Sequence, residues 1–131
     1  MKKTIVIIGT SLCLIILLMG CSKDQPIYDE EAPQITIASP NEGDYYEAGA
    51  MVLLKVDIQE NLELHQYSAV LRSTTSEVAF TINSGHVHGK SFEIDQQFEL
   101  PELSNQEYRI TVKANDHDDN LQTETITIYT H

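Results

Sequence analysis

His86 and His88 stand two apart in His86-Val87-His88-Gly89. In an extended chain that spacing turns both imidazoles to one face, where the pair can reach a single ion. Asp116-His117-Asp118-Asp119-Asn120 sets carboxylates on both sides of another histidine, and Glu60, Glu63 and His65 form a third group. Mixed imidazole and carboxylate donors suit Zn²⁺, Cu²⁺ or Ni²⁺. The oxygen-bearing positions Asp116, Asp118 and Asn120 alone suit Ca²⁺, but the run is not an EF-hand. Leu121 stands where that loop needs glycine, and Thr127 where it needs the bidentate glutamate. The candidate metal ligands are therefore His86, His88, His65, Asp116, His117 and Asp118, with Zn or Cu expected before Ca.

Other chemistries find no support. There is no glycine-rich phosphate loop, no His-Glu-x-x-His and no serine on a nucleophile elbow. Adjacent carboxylates such as Glu30-Glu31 and Asp118-Asp119 are expected on a solvated surface, because 20 Asp and Glu face only 8 Lys and Arg. The sequence thus predicts a protein that is not an enzyme. A formal charge of −12 also repels nucleic acid and anionic headgroups, whose recognition needs clustered Lys and Arg.

The first residues predict an address. Met1-Lys2-Lys3 is a short positive region, and Thr4 to Leu18 is apolar apart from Gly9, Thr10 and Ser11. At about 15 residues this stretch is shorter than the roughly 20 that span a bilayer. It ends in Leu18-Met19-Gly20-Cys21, a small residue before a cysteine, which resembles a bacterial lipobox. The expectation is a signal peptide over 1–20, lipidation of Cys21, and several acyl chains holding the protein to the outer membrane. Cleavage removes Lys2, Lys3 and Cys13 and takes the formal charge from −12 to −14. No thiol then remains for a disulfide, a thiolate metal site or a nucleophile. Ser22-Lys23-Asp24-Gln25 resembles the short tag that follows the lipidated cysteine in surface-exposed lipoproteins. Residues 21–32, acidic and containing Pro26, are read as a flexible tether.

From Pro33 onward the apolar period is two. Seven strands are expected: Gln34 to Ser39, Met51 to Gln59, Gln66 to Ser73, Glu77 to Asn83, Ser91 to Leu100, Glu107 to Ala114 and Gln122 to Thr130. Turn clusters such as Pro40-Asn41-Glu42-Gly43, Ser84-Gly85 and Asp118-Asp119-Asn120 separate them; only Asn61 to Val70 offers a competing helical spacing. The spacing predicts an all-β domain over 33–131, a seven-stranded immunoglobulin-like antiparallel β-sandwich. Tyr108, opening the sixth strand, sits where a tyrosine corner would bond its hydroxyl to upstream backbone. Tyr45, Tyr46 and Tyr67 are expected in core or edge packing rather than on a carbohydrate platform. If successive strands reverse, the connections after the second, fourth and sixth fall at one pole, and with them His65, His86, His88 and Asp116 to Asp119.

Ala32-Pro33 with Ile35, Ser39-Pro40 with Glu42-Gly43 and Gly49, His86-Val87-His88-Gly89 running into Phe92-Glu93-Ile94-Asp95, Glu99-Leu100-Pro101, and Tyr108 with Asp116 follow one another in an order that carries a resemblance. The chain resembles bacterial lipoproteins of the domain-of-unknown-function family 4625, described as immunoglobulin-like. It departs from them at Gln97, Arg109 and Thr111, where members carry histidine. The resemblance implies the sandwich and the anchor and confers no activity.

Two functions from different classes follow. One is a non-enzymatic outer-membrane module that binds a protein or glycan partner; the other is a metal-handling lipoprotein that captures Zn or Cu at the His/Asp pole.

Overall fold

Alternation of apolar and polar residues means that each strand can bury one row of side chains and wet the other. The computed structural model describes residues 28–131, and the expected signal peptide and Cys21 lie outside them. Among the described residues the chain is all-β, with eight strands and no helix: β1 Gln34–Ser39, β2 Tyr45–Tyr46, β3 Met51–Gln59, β4 Leu64–Ser73, β5 Ala79–His86, β6 Ser91–Glu99, β7 Glu107–Asp116 and β8 Leu121–Thr130. No helix among them is long and apolar enough to cross a membrane.

The strands form two sheets, ordered β1-β3-β6 and β2-β8-β7-β4-β5. All pairings are antiparallel except that of β2 with β8, which is parallel. The eighth strand beyond the seven expected is β2. Its two residues are too short to show a period, and only the approach of Tyr129 and Thr130 makes them a strand. Asn61 to Val70, where a helical spacing competes, forms no helix: from Leu64 onward it is β4, held by ladders to β5 and β7 on its two sides.

The inward rows meet in one core. Val52, Leu54, Val56 and Ile58 of β3 and Ile94 and Phe98 of β6 face Ala69 and Leu71 of β4, Tyr108, Ile110, Val112 and Ala114 of β7, and Ile128 of β8. Each of these side chains is more than nine-tenths buried, so the two sheets pack face to face. The tyrosine corner does not form: Tyr108 is fully buried, but its hydroxyl has no hydrogen-bond partner. The ring fills the core, and burial pushes the Tyr108 hydroxyl pKa up. Tyr67 is also buried, with its hydroxyl donating to Asn83 at 2.9 Å, while exposed Tyr45 stacks on Tyr129 at 5.0 Å.

Two rows do not end on apolar side chains. Continuing the inward phase of β3 two residues past Ile58 gives Glu60, and continuing that of β7 past Ala114 gives Asp116. Glu60 is 9% and Asp116 2% exposed, so carboxylates close one end of the interior.

Candidate functional site

The connections β3–β4, β5–β6 and β7–β8 lie at this same end, and backbone bonds tie them together. Leu64 N–H donates to the Gly89 carbonyl at 2.8 Å, Glu60 N–H to Lys90 at 2.8 Å, and Val87 N–H to His65 at 3.1 Å. His65 owes its position to a bulge. Leu64 pairs with Asp116 and Gln66 with Asn115, so His65 is an extra residue in β4, and such a residue is re-aimed out of the pleat.

Four imidazoles meet here. The His65 ring lies 4.4 Å from that of His117 and 5.2 Å from that of His86, and His88 stacks on His117 at 5.7 Å. The fifth histidine, His131, is elsewhere, beside Glu47 at 3.7 Å. Glu63, His88 and His117 each offer a ligand atom within 4.8 Å of the others. Within that trio, Glu63 Oε1 is 3.3 Å from His88 Nδ1. Tetrahedral Zn²⁺ with ligands at about 2.0 Å sets their donor atoms about 3.3 Å apart, so this edge is already at its closed length. All three side chains are exposed. His65 Nδ1, buried and without a partner, is the adjacent donor left for a fourth position.

The acidic half of the candidate set behaves differently. Asp116 Oδ1 accepts the N–H groups of Asp118 and Asn120, both at 2.9 Å, and its Oδ2 accepts the Asn120 amide at 2.7 Å. Asp118 Oδ2 accepts the Asp29 N–H at 3.1 Å. Of the Ca²⁺ series expected at 116, 118 and 120, Asp118 Oδ2 and the Asn120 amide are thus engaged in hydrogen bonds of the pole itself. Asp118 and Asn120 are turned to backbone and to Asp29, because a tight turn needs its own N–H groups satisfied. Neither Asp116 nor Asp118 is among the ligand atoms that converge with Glu63, His88 and His117.

In their place a second trio forms from Asp29, Glu60 and Asp116, again with ligand atoms within 4.8 Å. Asp29 lies in the segment read as tether, yet it is bonded into the pole. Its Oδ1 accepts the Asn61 side-chain amide at 3.0 Å, and its carbonyl accepts that of Asn120 at 2.8 Å. The Asn61 hydrogen bond, first among several causes, holds the Asp29 carboxyl below its ordinary pKa. Glu60 was legible in the sequence as the next inward position of β3. Asp29, separated from Glu60 by β1, β2 and β3, carries no such signal.

Away from the pole, a groove of about 410 Å³ crosses the outer face of β4 and β7, lined by Ser68, Val70, Arg72, Arg109, Thr111 and Lys113. It gathers three of the eight basic side chains of an acidic protein.

No protein-family model matches the chain, and no curated protein does. Among solved structures it is similar to Spo0M, a sporulation control protein from Bacillus subtilis, at 17% identity and a TM-score of 0.46, over 77% of this chain and 50% of that one. The chain thus spans about half the length of that protein.

Proposed function

We propose that this protein is a non-enzymatic, lipid-anchored module of the bacterial outer membrane that captures a transition-metal ion, Zn²⁺ or Cu²⁺, at its loop pole. The carrying observation is the convergence of Glu63, His88 and His117, with ligand atoms within 4.8 Å and His65 and His86 in ring contact beside them. Three protein donors with room for a fourth ligand are what a capturing site needs. The anchor at Cys21 keeps its place in the proposal on the lipobox residues.

The immunoglobulin-like reading of the sandwich belongs to the same proposal, as does the likeness to family 4625. Its support is the strand order. Taking β1, β3, β4, β6, β7 and β8 as strands A, B, C, E, F and G sets A beside B beside E, and C beside F beside G.

The test is calorimetric titration of the full chain in detergent with Zn²⁺, Cu²⁺ and Ni²⁺, against the double variant His88→Ala/His117→Ala. One equivalent bound below micromolar and lost in the variant supports capture. Weak binding that the variant leaves unchanged removes it.

A second reading, an anionic protein or glycan partner, is favoured by the groove of Arg72, Arg109 and Lys113. It expects a sulfated polysaccharide to bind at low salt and to release both at high salt and in Arg72→Ala/Arg109→Ala.

A further inference from the structure

Glu60 and Asp116 are taken out of water with their charges unanswered. None of the four ion pairs among the described residues involves Asp29, Glu60 or Asp116. Asp116 meets its own needs through three hydrogen bonds. Glu60 does so only by half: Oε1 accepts the N–H groups of Asn61 at 2.7 Å and Leu62 at 3.3 Å, whereas Oε2 is buried with no partner. Asp29 repeats the pattern, with Oδ1 accepting the Glu31 N–H and the Asn61 amide and Oδ2 buried and unpartnered. A buried carboxylate oxygen without a donor is costly, and two beside a third carboxylate also repel one another. One divalent cation at their centre would remove both costs.

We infer that Asp29, Glu60 and Asp116 form a Ca²⁺ site, and that the ion clamps the segment before β1 onto the end of the sandwich. The donors are all carboxylate oxygens, which favours a hard cation over Zn²⁺ or Cu²⁺. Ca²⁺ bonds oxygen at about 2.3–2.6 Å, so two ligands across one ion are separated by up to about 5 Å. The trio lies within that span at 4.8 Å. Mg²⁺ demands a tighter and more regular shell. Two ligands belong to the interior rows of opposite sheets, whereas the third belongs to the segment that leads back to Cys21. The ion therefore joins the body of the domain to its tether. This site shares no residue with Glu63, His88 and His117, so either can fail without the other.

The experiment follows melting and Ca²⁺ binding of the full chain in detergent after chelation, with Glu60→Gln and Asp29→Asn alongside. The side-chain amide introduced by Glu60→Gln keeps an oxygen for the Asn61 and Leu62 N–H groups but loses the charge. Without Ca²⁺, Glu60→Gln should melt no lower than the native chain, since repulsion is relieved. With Ca²⁺ at ten times its dissociation constant, the native chain should gain about 5 °C and the variant far less. Calcium affinity should fall at least tenfold in both variants, while Zn²⁺ binding at the histidines is unchanged. Asp29→Asn, outside every strand, secures the test should Glu60→Gln fold poorly. Hydrogen exchange at the amides of residues 29–31 should slow when Ca²⁺ is added. A melting temperature indifferent to Ca²⁺ up to about 10 mM overturns the site, since extracellular modules bind at about 0.1–1 mM. Native-like Ca²⁺ affinity in Glu60→Gln also overturns it, and unaltered exchange at residues 29–31 overturns the clamp.

Discussion

The pole holds two clusters of side chains that could hold a metal ion, and they are built on opposite principles. Glu63, His88 and His117 sit on connections and are exposed. Glu60, one residue past β3, and Asp116, the last residue of β7, continue the inward rows of two core strands, in phase with Ile58 and Ala114. The first cluster is marked by side-chain chemistry and would need a ligand to draw it together. The second is assembled by the fold and left with a charge to satisfy. The contrast shows that metal-binding residue types mark a surface cluster well, while strand phase marks a buried one.

Substitutions can break this comparison at several strengths. The largest effect is expected at Asp116→Ala, which removes a buried carboxylate and leaves two backbone N–H groups of the β7–β8 turn without their acceptor. Stability should fall by about 2 kcal/mol, read from the denaturation midpoint in chelator. A cost within about 0.5 kcal/mol would mean that the fold does not depend on this carboxylate.

Next comes the histidine cluster. Zn²⁺ affinity should fall as pH drops from 7.5 to 5.5, because protons and metal compete for imidazole, by about tenfold or more. Parallel calcium titrations over the same range should change less. Equal pH sensitivity of the two would erase the distinction between imidazole and carboxylate donors.

Tyr108 sharpens the comparison from inside the core, since its hydroxyl is, like Glu60 Oε2, buried without a partner but is not a carboxylate oxygen. Tyr108→Phe should be neutral or stabilising by up to about 1 kcal/mol, whereas a working tyrosine corner would make it destabilising. Burial raises the Tyr46, Tyr67 and Tyr108 pKa values above the ordinary 10.0. The unfolded chain therefore releases these protons first. The stability they contribute is whole below pH 10 and is lost as pH rises through the folded values. Tyr108→Phe should flatten that alkaline decline, and an unchanged slope above pH 10 would rule out Tyr108 as a contributor.

The smallest effect is expected at the surface. In chelator, His88→Ala/His117→Ala should change stability by less than about 0.5 kcal/mol, checked by the same denaturation series. A larger loss would mean that these rings support the fold and are not free donors.

Much of the fold is legible in the amino-acid sequence, because β-strands announce themselves locally. Gln34–Ser39 and Met51–Gln59 have the bounds expected from their alternating residues, and the later long strands differ by a few residues at their ends. The gathering of His65, His86, His88 and His117 follows from counting reversals, since every second connection of an antiparallel chain returns to the same end. What the sequence by itself determined, then, was the period of its strands and the chemistry of its loops. Tertiary structure alone decided the rest. Tyr45 and Tyr46 became a strand only against Tyr129 and Thr130, His65 was turned by a bulge that no residue type signals, and the Tyr108 hydroxyl was left without its expected partner. Asp29 met Glu60 and Asp116 across 31 and 87 positions of chain. Such a meeting is set by how two sheets close over a core, and local pattern holds no record of it.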